Sequence, residues 1–185
     1  MIKIRYNSPV ILTFSLVCIC AMAASSFTGG NSTEFLFVSY PGFSFSDLLC
    51  YFRLISHVAG HADWKHLAGN LSIILLIGPL LEEKYGSGTL LEMFFYTALV
   101  TGILNSLFFQ AGLMGASGIV FMLILLASFA NFKAGELPLT FILIGVLYLG
   151  SEVIIAFSDD NVSQFAHILG GVCGAVFGFL RMRKQ

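Results

Sequence analysis

The stretch GASGIVFMLILLASFA at residues 115–130 joins a possible nucleophile to a membrane-spanning sequence. Ser117 lies among small residues, and the run that follows it to Ala130 contains no charged side chain. A hydrocarbon core of about 30 Å is crossed by about 20 predominantly apolar residues in a helix. We therefore predict a helix that enters the bilayer close to Ser117 and spans residues 116–131.

Five further stretches of the chain have the same apolar character. The 185 residues are 57% hydrophobic and only 10% charged, against roughly 25% charged residues in an ordinary soluble domain. No soluble domain remains between the stretches. We predict an all-α membrane protein, a single domain over residues 1–185 that forms a six-transmembrane-helix bundle with spans at about 8–27, 66–82, 89–111, 116–131, 137–157 and 164–181.

The basic residues predict how this bundle lies in the membrane. Seven of the nine Lys and Arg residues flank the spans on one side, namely Lys3, Arg5, Lys84, Lys133, Arg181, Arg183 and Lys184. Lys and Arg are enriched in cytoplasmic loops. A multi-pass cell-membrane protein with both termini in the cytoplasm is therefore predicted. No basic cluster is interleaved with aromatic residues, so no nucleic-acid partner is expected.

Two features of the first part of the chain have alternative interpretations. A basic start and an apolar run lead into Ala21-Met22-Ala23, which resembles a signal-peptide cleavage site, so residues 1–23 are either a first span or a removed segment. Residues 28–65 form a long outer loop rich in aromatic residues. We expect this loop to pack onto the bundle or the bilayer surface, because a disordered segment is poor in such residues.

Polar groups inside a bilayer cost several kcal/mol, which makes the few present here functional candidates. They are His66, Asn70, Ser117 and His167. Counting at about 1.5 Å per residue places Ser117 roughly 22 Å and His167 roughly 21 Å from the cytoplasmic boundary, with His66 and Asn70 bracketing that level. A serine and a histidine at one depth suit nucleophilic catalysis, which needs the two groups in hydrogen-bonding contact.

Glycines are placed where two helices must approach closely for this contact. Gly170, Gly174 and Gly178 recur at intervals of four after His167, and Gly115 and Gly118 flank Ser117. Small residues at such intervals allow helix backbones to meet in a membrane. The alternative is that the stripe serves packing alone.

His66 and Asn70 could stabilise the oxyanion that forms when a serine attacks a carbonyl group. Their spacing of four places both side chains on one helix face. The backbone N–H of Ser117, at a helix start, could be a third donor. Alternatively, both side chains form hydrogen bonds between helices.

These residues together resemble the rhomboid family of intramembrane serine proteases over about residues 52–178. The matching segments are Arg53 with His57 and His61, His66-x-x-x-Asn70, LEEKYGS at residues 81–87, Gly115-Ala116-Ser117-Gly118, and Ala166-His167-x-x-Gly170. Two positions depart from the family pattern, because Phe52 stands where many bacterial members have tryptophan and Phe121 where tyrosine often packs on the histidine. Both positions keep an aromatic ring, so packing should survive.

The resemblance implies a Ser-His dyad without a third acid, no cofactor, and a water-filled cavity that opens to the outer side. Substrates would be single-span membrane proteins that enter past a mobile fifth helix and are cut near the outer face. The roles implied are Ser117 as nucleophile, His167 as general base, an oxyanion hole of His66, Asn70 and the Ser117 amide, structural roles for Arg53 and Glu82, and supporting roles for Gly115, Gly118, Phe121, Gly170 and Gly174.

The sequence gives weaker support for other functions. His57 and His61 could bind a metal if their stretch is helical, but Val58 stands where a zinc protease needs glutamate, so no metal site is predicted. No aspartate lies within a predicted span for an aspartyl protease. A transporter would be expected to have repeat halves with matching broken helices or several buried charges, and neither is present. Glu152 is the one candidate, and we expect its side chain to form a hydrogen bond or to reach the interface. The remaining alternative is a catalytically inactive rhomboid relative that binds membrane clients.

Overall fold

The regular elements of the structure are helices. A computed structural model describes residues 5–129, 139–144, 146–147 and 161–182. The helices are α1 (Pro9–Phe27), α2 (Asn31–Leu36), α3 (Leu48–Ser56), α4 (Trp64–Tyr85), α5 (Ser87–Phe108), α6 (Ser117–Ser128), α7 (Leu139–Ile144) and α8 (Asn161–Met182), with a 3₁₀ turn at His57–Ala59. The predicted all-α class is confirmed for these residues.

Three of the described helices are long and apolar enough to cross a membrane. They are α1, α4 and α5, and they coincide with the first three predicted spans. The apolar parts of α6 and α8, Ser117–Ser128 and Gln164–Leu180, are shorter. Most of the predicted span at 137–157, together with Glu152, lies outside the described residues. The count of six spans therefore stays a prediction.

Glu82 joins the start of α1 to the turn between α4 and α5. Its two carboxylate oxygens accept hydrogen bonds from the backbone N–H groups of Val10 and Ile11, each at 3.0 Å, and from the Ser87 hydroxyl at 2.7 Å. The first N–H groups of a helix have no partner within it, and a negative charge is favourable there. These contacts are a physical basis for the structural role that the resemblance implies.

We expect Glu82→Gln to lower the free energy of unfolding by about 1–3 kcal/mol, because an amide replaces one acceptor oxygen by a donor that faces a buried N–H group. Thermal unfolding in detergent measures the change. Glu83→Gln is the matched control, since the adjacent Glu83 side chain is exposed. Equal unfolding midpoints for the two variants would contradict this role of Glu82.

Helices α6 and α8 pack backbone to backbone through the predicted glycines. A β-carbon added at Gly170 would overlap the carbonyl group of Gly118, and one at Gly174 would overlap that of Met122. A β-carbon at Gly178 would collide with the Phe129 ring. The prediction that this stripe allows a close helix approach is confirmed. The approach brings the start of α6 beside the first half of α8.

Half of the segment between α1 and α4 lies in α2, α3 and the 3₁₀ turn. The expectation that it packs onto the bundle is confirmed, because Val38, Leu54 and Val58 are buried. The aromatic pattern did not predict the helices α2 and α3. Arg53 links these two helices, since its Nε and Nη2 donate to the Phe35 carbonyl oxygen at 2.9 and 2.7 Å.

Helix α1 is an integral part of this core. Its Ile11, Cys18 and Met22 side chains are buried in the main hydrophobic cluster. The helix continues through residues 21–23 without interruption. Removal of residues 1–23 would expose that cluster and take away the backbone partners of Glu82, which favours the interpretation of this segment as a retained helix.

Candidate active site

The four polar residues singled out in the sequence meet at one cavity. The cavity has a volume of about 510 Å³ and lies where α4, α6 and α8 converge. Its lining comprises Asp63, Lys65, His66, Gly69, Asn70, Ile73, Ser117, Val120, Phe121 and His167. Residues separated by more than a hundred positions in the chain therefore share one concave site.

Ser117 is the first residue of α6, after a backbone turn that glycine makes possible. Gly115 has a φ of 127°, and its N–H donates to the His57 carbonyl oxygen at 2.9 Å. A β-carbon at Gly115 would lie 2.9 Å from His66 Cε1. Glycine is thus needed at position 115 both for its dihedral angle and for space. The N–H groups at a helix start lack partners within the helix, so that of Ser117 is suited to bind an anion.

His167 lies on α8 and its ring stacks on Phe121. The ring centroids are 4.4 Å apart and the planes are within 5° of parallel. Phe121 follows Ser117 by one turn of α6, so this stack holds the imidazole against the helix that carries the serine. The prediction that an aromatic ring at position 121 preserves this packing is confirmed.

His66 and Asn70 face the cavity from the first two turns of α4. Asp63 caps this helix by accepting the N–H of His66 at 2.7 Å, and that hydrogen bond lowers the pKa of the Asp63 carboxyl group. The buried amide of Asn70 donates from Nδ2 to His61 Nε2 at 3.1 Å. An amide NH₂ group has two hydrogens. One therefore remains for a ligand in the cavity.

His57 and His61 are not arranged as the pair of metal ligands considered above. The 3₁₀ turn ends at Ala59 and the chain from Gly60 to Asp63 is not helical, so the condition for that pairing is not met. His57 Nε2 donates to the Ala98 carbonyl oxygen at 3.0 Å. Among the residues that the structure describes, no three His, Cys, Asp or Glu side chains form a group that could hold a metal ion.

Burial of these two histidines makes the stability of the fold depend on pH in the acidic range. It lowers the pKa of His57 from 6.5 to about 4, and burial together with repulsion by His66 lowers that of His61 to about 4. Between pH 6.5 and 4 the unfolded chain therefore binds more protons than the folded one. The neutral histidines contribute stability above this window, and the contribution disappears as pH falls through it.

We expect the fully buried His57 alone to lower the free energy of unfolding by about 3 kcal/mol as the pH falls from 6.5 to 4. Unfolding midpoints of the wild type and His57→Gln, measured across this range, test the expectation. The glutamine variant should be less stable near neutral pH but lose less stability on acidification. Parallel pH dependences in the two proteins would show that His57 does not titrate on unfolding.

The remaining residues named from the sequence lie outside the cavity lining. Arg53 and Glu82 bind backbone groups of neighbouring elements, and Gly118, Gly170 and Gly174 form the contact between α6 and α8. Sequence reasoning missed the contact of His61 with Asn70. It also missed Lys65 and Gly69, which line the cavity one turn apart on α4. The spacing of four residues between Lys65 and Gly69 is the signal that could have placed them on one face of α4.

Comparison with known proteins places these features in a family context. The Rhomboid domain family matches residues 50–184. The Rhomboid protease GlpG of Haemophilus influenzae is 24% identical over 180 residues, which cover 94% of this chain and 93% of that protein. The GlpG of Serratia proteamaculans is 31% identical over 162 residues, covering 84% of this chain and 57% of that relative. The GlpG of Yersinia pestis is 27% identical over 183 residues, which cover 96% of this chain and 64% of that relative.

Proposed function

The chain belongs to the rhomboid family of intramembrane serine proteases, and from that premise we propose that Ser117 and His167 form a catalytic dyad that cuts other membrane proteins. The bonds cleaved lie in or near transmembrane segments. The observation that supports this proposal is the single cavity lined by Ser117, His167, His66 and Asn70. A general base must come within hydrogen-bond reach of the proton it removes, and the stack on Phe121 holds the His167 ring against the helix that begins with Ser117.

The proposed reaction proceeds through an acyl-enzyme. His167 removes the proton of the Ser117 hydroxyl while Oγ attacks the carbonyl carbon of the substrate. The protonated imidazole then gives this proton to the nitrogen of the leaving amine as the C–N bond breaks. Water, deprotonated by His167, then attacks the ester carbonyl, and the imidazolium returns this proton to Ser117 Oγ as the ester C–O bond breaks, which releases the acid and the free serine. The stack on Phe121 keeps the imidazole plane fixed during these transfers.

The negative charge on the carbonyl oxygen is stabilised by donors that are in place before attack. We assign this role to His66, to the second Asn70 hydrogen and to the backbone N–H of Ser117. Preorganised donors of this kind act strongly in a site of low dielectric constant. The three come from two helices, which the bundle holds in fixed relation.

Asn70→Ala is expected to lower kcat by about 10²–10³-fold with a much smaller effect on KM, because a developing oxyanion loses a donor. Cleavage of a transmembrane substrate in proteoliposomes measures both constants. Asn31→Ala, which removes the same amide from the exposed start of α2, should leave kcat unchanged. A wild-type kcat in Asn70→Ala would remove this residue from the oxyanion hole.

The substrates proposed are single-span membrane proteins. The GlpG relatives are named as rhomboid proteases, and the apolar helices of this chain suit a site reached from the bilayer. In the proposed topology both termini are cytoplasmic and the cavity opens to the outer side. Substrate entry past the fifth predicted span concerns residues mostly outside the described part of the chain.

A serine-reactive fluorophosphonate probe tests the proposed function without a known substrate. We expect the purified wild type to be labelled and Ser117→Ala to remain unlabelled. Labelling of His167→Ala should be strongly reduced, since the hydroxyl then lacks its base. An unlabelled wild type would favour the inactive, client-binding relative. Equal labelling of Ser117→Ala would refute the nucleophile assignment.

A further inference from the structure

His61 is a buried histidine that the proposed reaction does not use. Its side chain is 1% exposed and lies behind the cavity wall, without lining it. The ring nevertheless contacts two side chains of the proposed oxyanion hole, Asn70 and His66, and the backbone nitrogen of Ala116, the residue before Ser117. Nε2 lies 3.1 Å from Asn70 Nδ2 and 3.4 Å from the backbone nitrogen of Ala116, and the ring packs edge to face on His66 with centroids 5.1 Å apart.

The hydrogen bonds of His61 define its tautomer. Nδ1 lies 3.2 Å from the carbonyl oxygen of Ala59, which can only accept, so the proton is on Nδ1. Nε2 of the neutral ring is then an acceptor. Both neighbours of Nε2 are N–H groups and donate to it. The low pKa of about 4 keeps the ring in this neutral form at physiological pH.

This acceptor determines which way the Asn70 amide points. An asparagine side chain can turn its amide so that oxygen and nitrogen exchange places. With a lone pair at Nε2, only the orientation with NH₂ towards His61 forms a hydrogen bond. In that orientation the second amide hydrogen is available as a donor. The opposite orientation would set a carbonyl oxygen against the Nε2 lone pair.

We propose that His61 is the positioning residue of the oxyanion hole, fixing the Asn70 amide as a donor and holding the turn that presents the Ser117 N–H. The proposal rests on the proposed function. His61 touches neither substrate nor nucleophile, so its effect is exerted through Asn70, Ala116 and His66. Donors must be aligned before reaction to stabilise a transition state, which makes such an anchor catalytically consequential.

A double-mutant cycle with Asn70 tests the proposal. We expect His61→Phe, which keeps a ring and loses the acceptor, to lower kcat by about 10- to 100-fold with little change in KM. In an Asn70→Ala background the same substitution should lower kcat less than about threefold further, because its main target is already absent. His61→Gln, whose Oε1 can replace the Nε2 lone pair, should retain most of the activity.

His57→Phe is the matched control. It removes a second buried neutral histidine that bonds Ala98, away from the oxyanion donors. Its effect on kcat should multiply with that of Asn70→Ala, as expected for independent sites. Full multiplication of the His61→Phe and Asn70→Ala effects would overturn the proposal, as would equal losses in His61→Gln and His61→Phe.

Failure of this inference is distinguishable from failure of the proposed function. If Ser117→Ala retains the wild-type rate, the dyad itself is wrong. If Ser117→Ala is inactive while the His61 effects are independent of Asn70, only the positioning role is lost. Should His61→Phe fold poorly, His61→Gln still tests the proposal, because it should keep most of the wild-type kcat, and a loss of about tenfold or more in the presence of Asn70 would contradict the acceptor role of His61.

Discussion

Ser117→Ala is expected to abolish proteolysis, with kcat at least about 10⁴-fold below that of the wild type, because it removes the hydroxyl that we propose forms the acyl-enzyme. The fold should be retained, since the Ser117 side chain forms no cap of α6. Cleavage of a transmembrane substrate in proteoliposomes measures the loss. Ser128→Ala is the matched control at the other end of the same helix, where the hydroxyl donates to the Leu125 carbonyl oxygen.

The proposed role of His167 as general base can be tested separately from the packing of its ring. His167→Ala removes both the proton acceptor and the ring that stacks on Phe121, whereas His167→Phe removes only the acceptor. Both variants should be inactive, and the phenylalanine variant should unfold close to the wild-type midpoint. Substantial turnover by either variant would contradict the assignment of His167 as general base.

The second large effect concerns the contact between α6 and α8. We expect Gly170→Ala to lower stability by about 1–3 kcal/mol, and Gly170→Val by more, because the added carbon overlaps the Gly118 carbonyl group. Activity should fall further than the folded fraction does, since separation of the helices moves Ser117 away from His167. A displacement of 1 Å can cost about 100-fold in rate.

A helical glycine in open space provides the comparison for Gly170. Gly88 in the first turn of α5 has no atom within 4 Å of an added β-carbon. Gly88→Ala should therefore be neutral or stabilising by up to about 1 kcal/mol, from helix propensity alone. Unfolding in detergent and cleavage assays on the same preparations give both quantities. A stable and active Gly170→Ala would mean that α6 and α8 do not meet in backbone contact.

Much of the site was predictable because it depends on spacing along helices. The intervals from His66 to Asn70 and from Gly170 to Gly174 repeat once per helical turn, so the sequence placed each pair on a common face. Equal depth in the bilayer then related Ser117 to His167. These relations need only helix geometry, and the structure brings His66, Asn70, Ser117 and His167 to one cavity.

The helix boundaries were less predictable where apolar composition continues past a helix end. The span predicted over 116–131 corresponds to a helix that ends at Ser128, and Phe129 follows it as a cap residue. In residues 28–65, the aromatic side chains indicated burial but carried no clear helical period. Helix α3 starts at a local cap instead, where Asp47 accepts the N–H of Leu49.

His61 illustrates a limit of another kind. Its spacing of four from His57 suggests one helix face, but the helical turn ends before Gly60. Gly60 packs closely on Phe37, since a β-carbon added at Gly60 would lie 2.6 Å from the Phe37 β-carbon. The partners of His61 Nε2 are Asn70, nine residues away, and Ala116, fifty-five residues away. Contacts over such separations follow from tertiary packing and leave no periodic signal in the sequence.

An experimental structure of the fluorophosphonate-treated protein addresses the proposed dyad and oxyanion hole together. We predict a covalent bond from Ser117 Oγ to phosphorus, a phosphoryl oxygen within about 3 Å of donors from His66, Asn70 and the Ser117 backbone, and the His167 ring beside the adduct. An adduct on a different residue, or a phosphoryl oxygen directed away from these donors, would contradict the proposed mechanism.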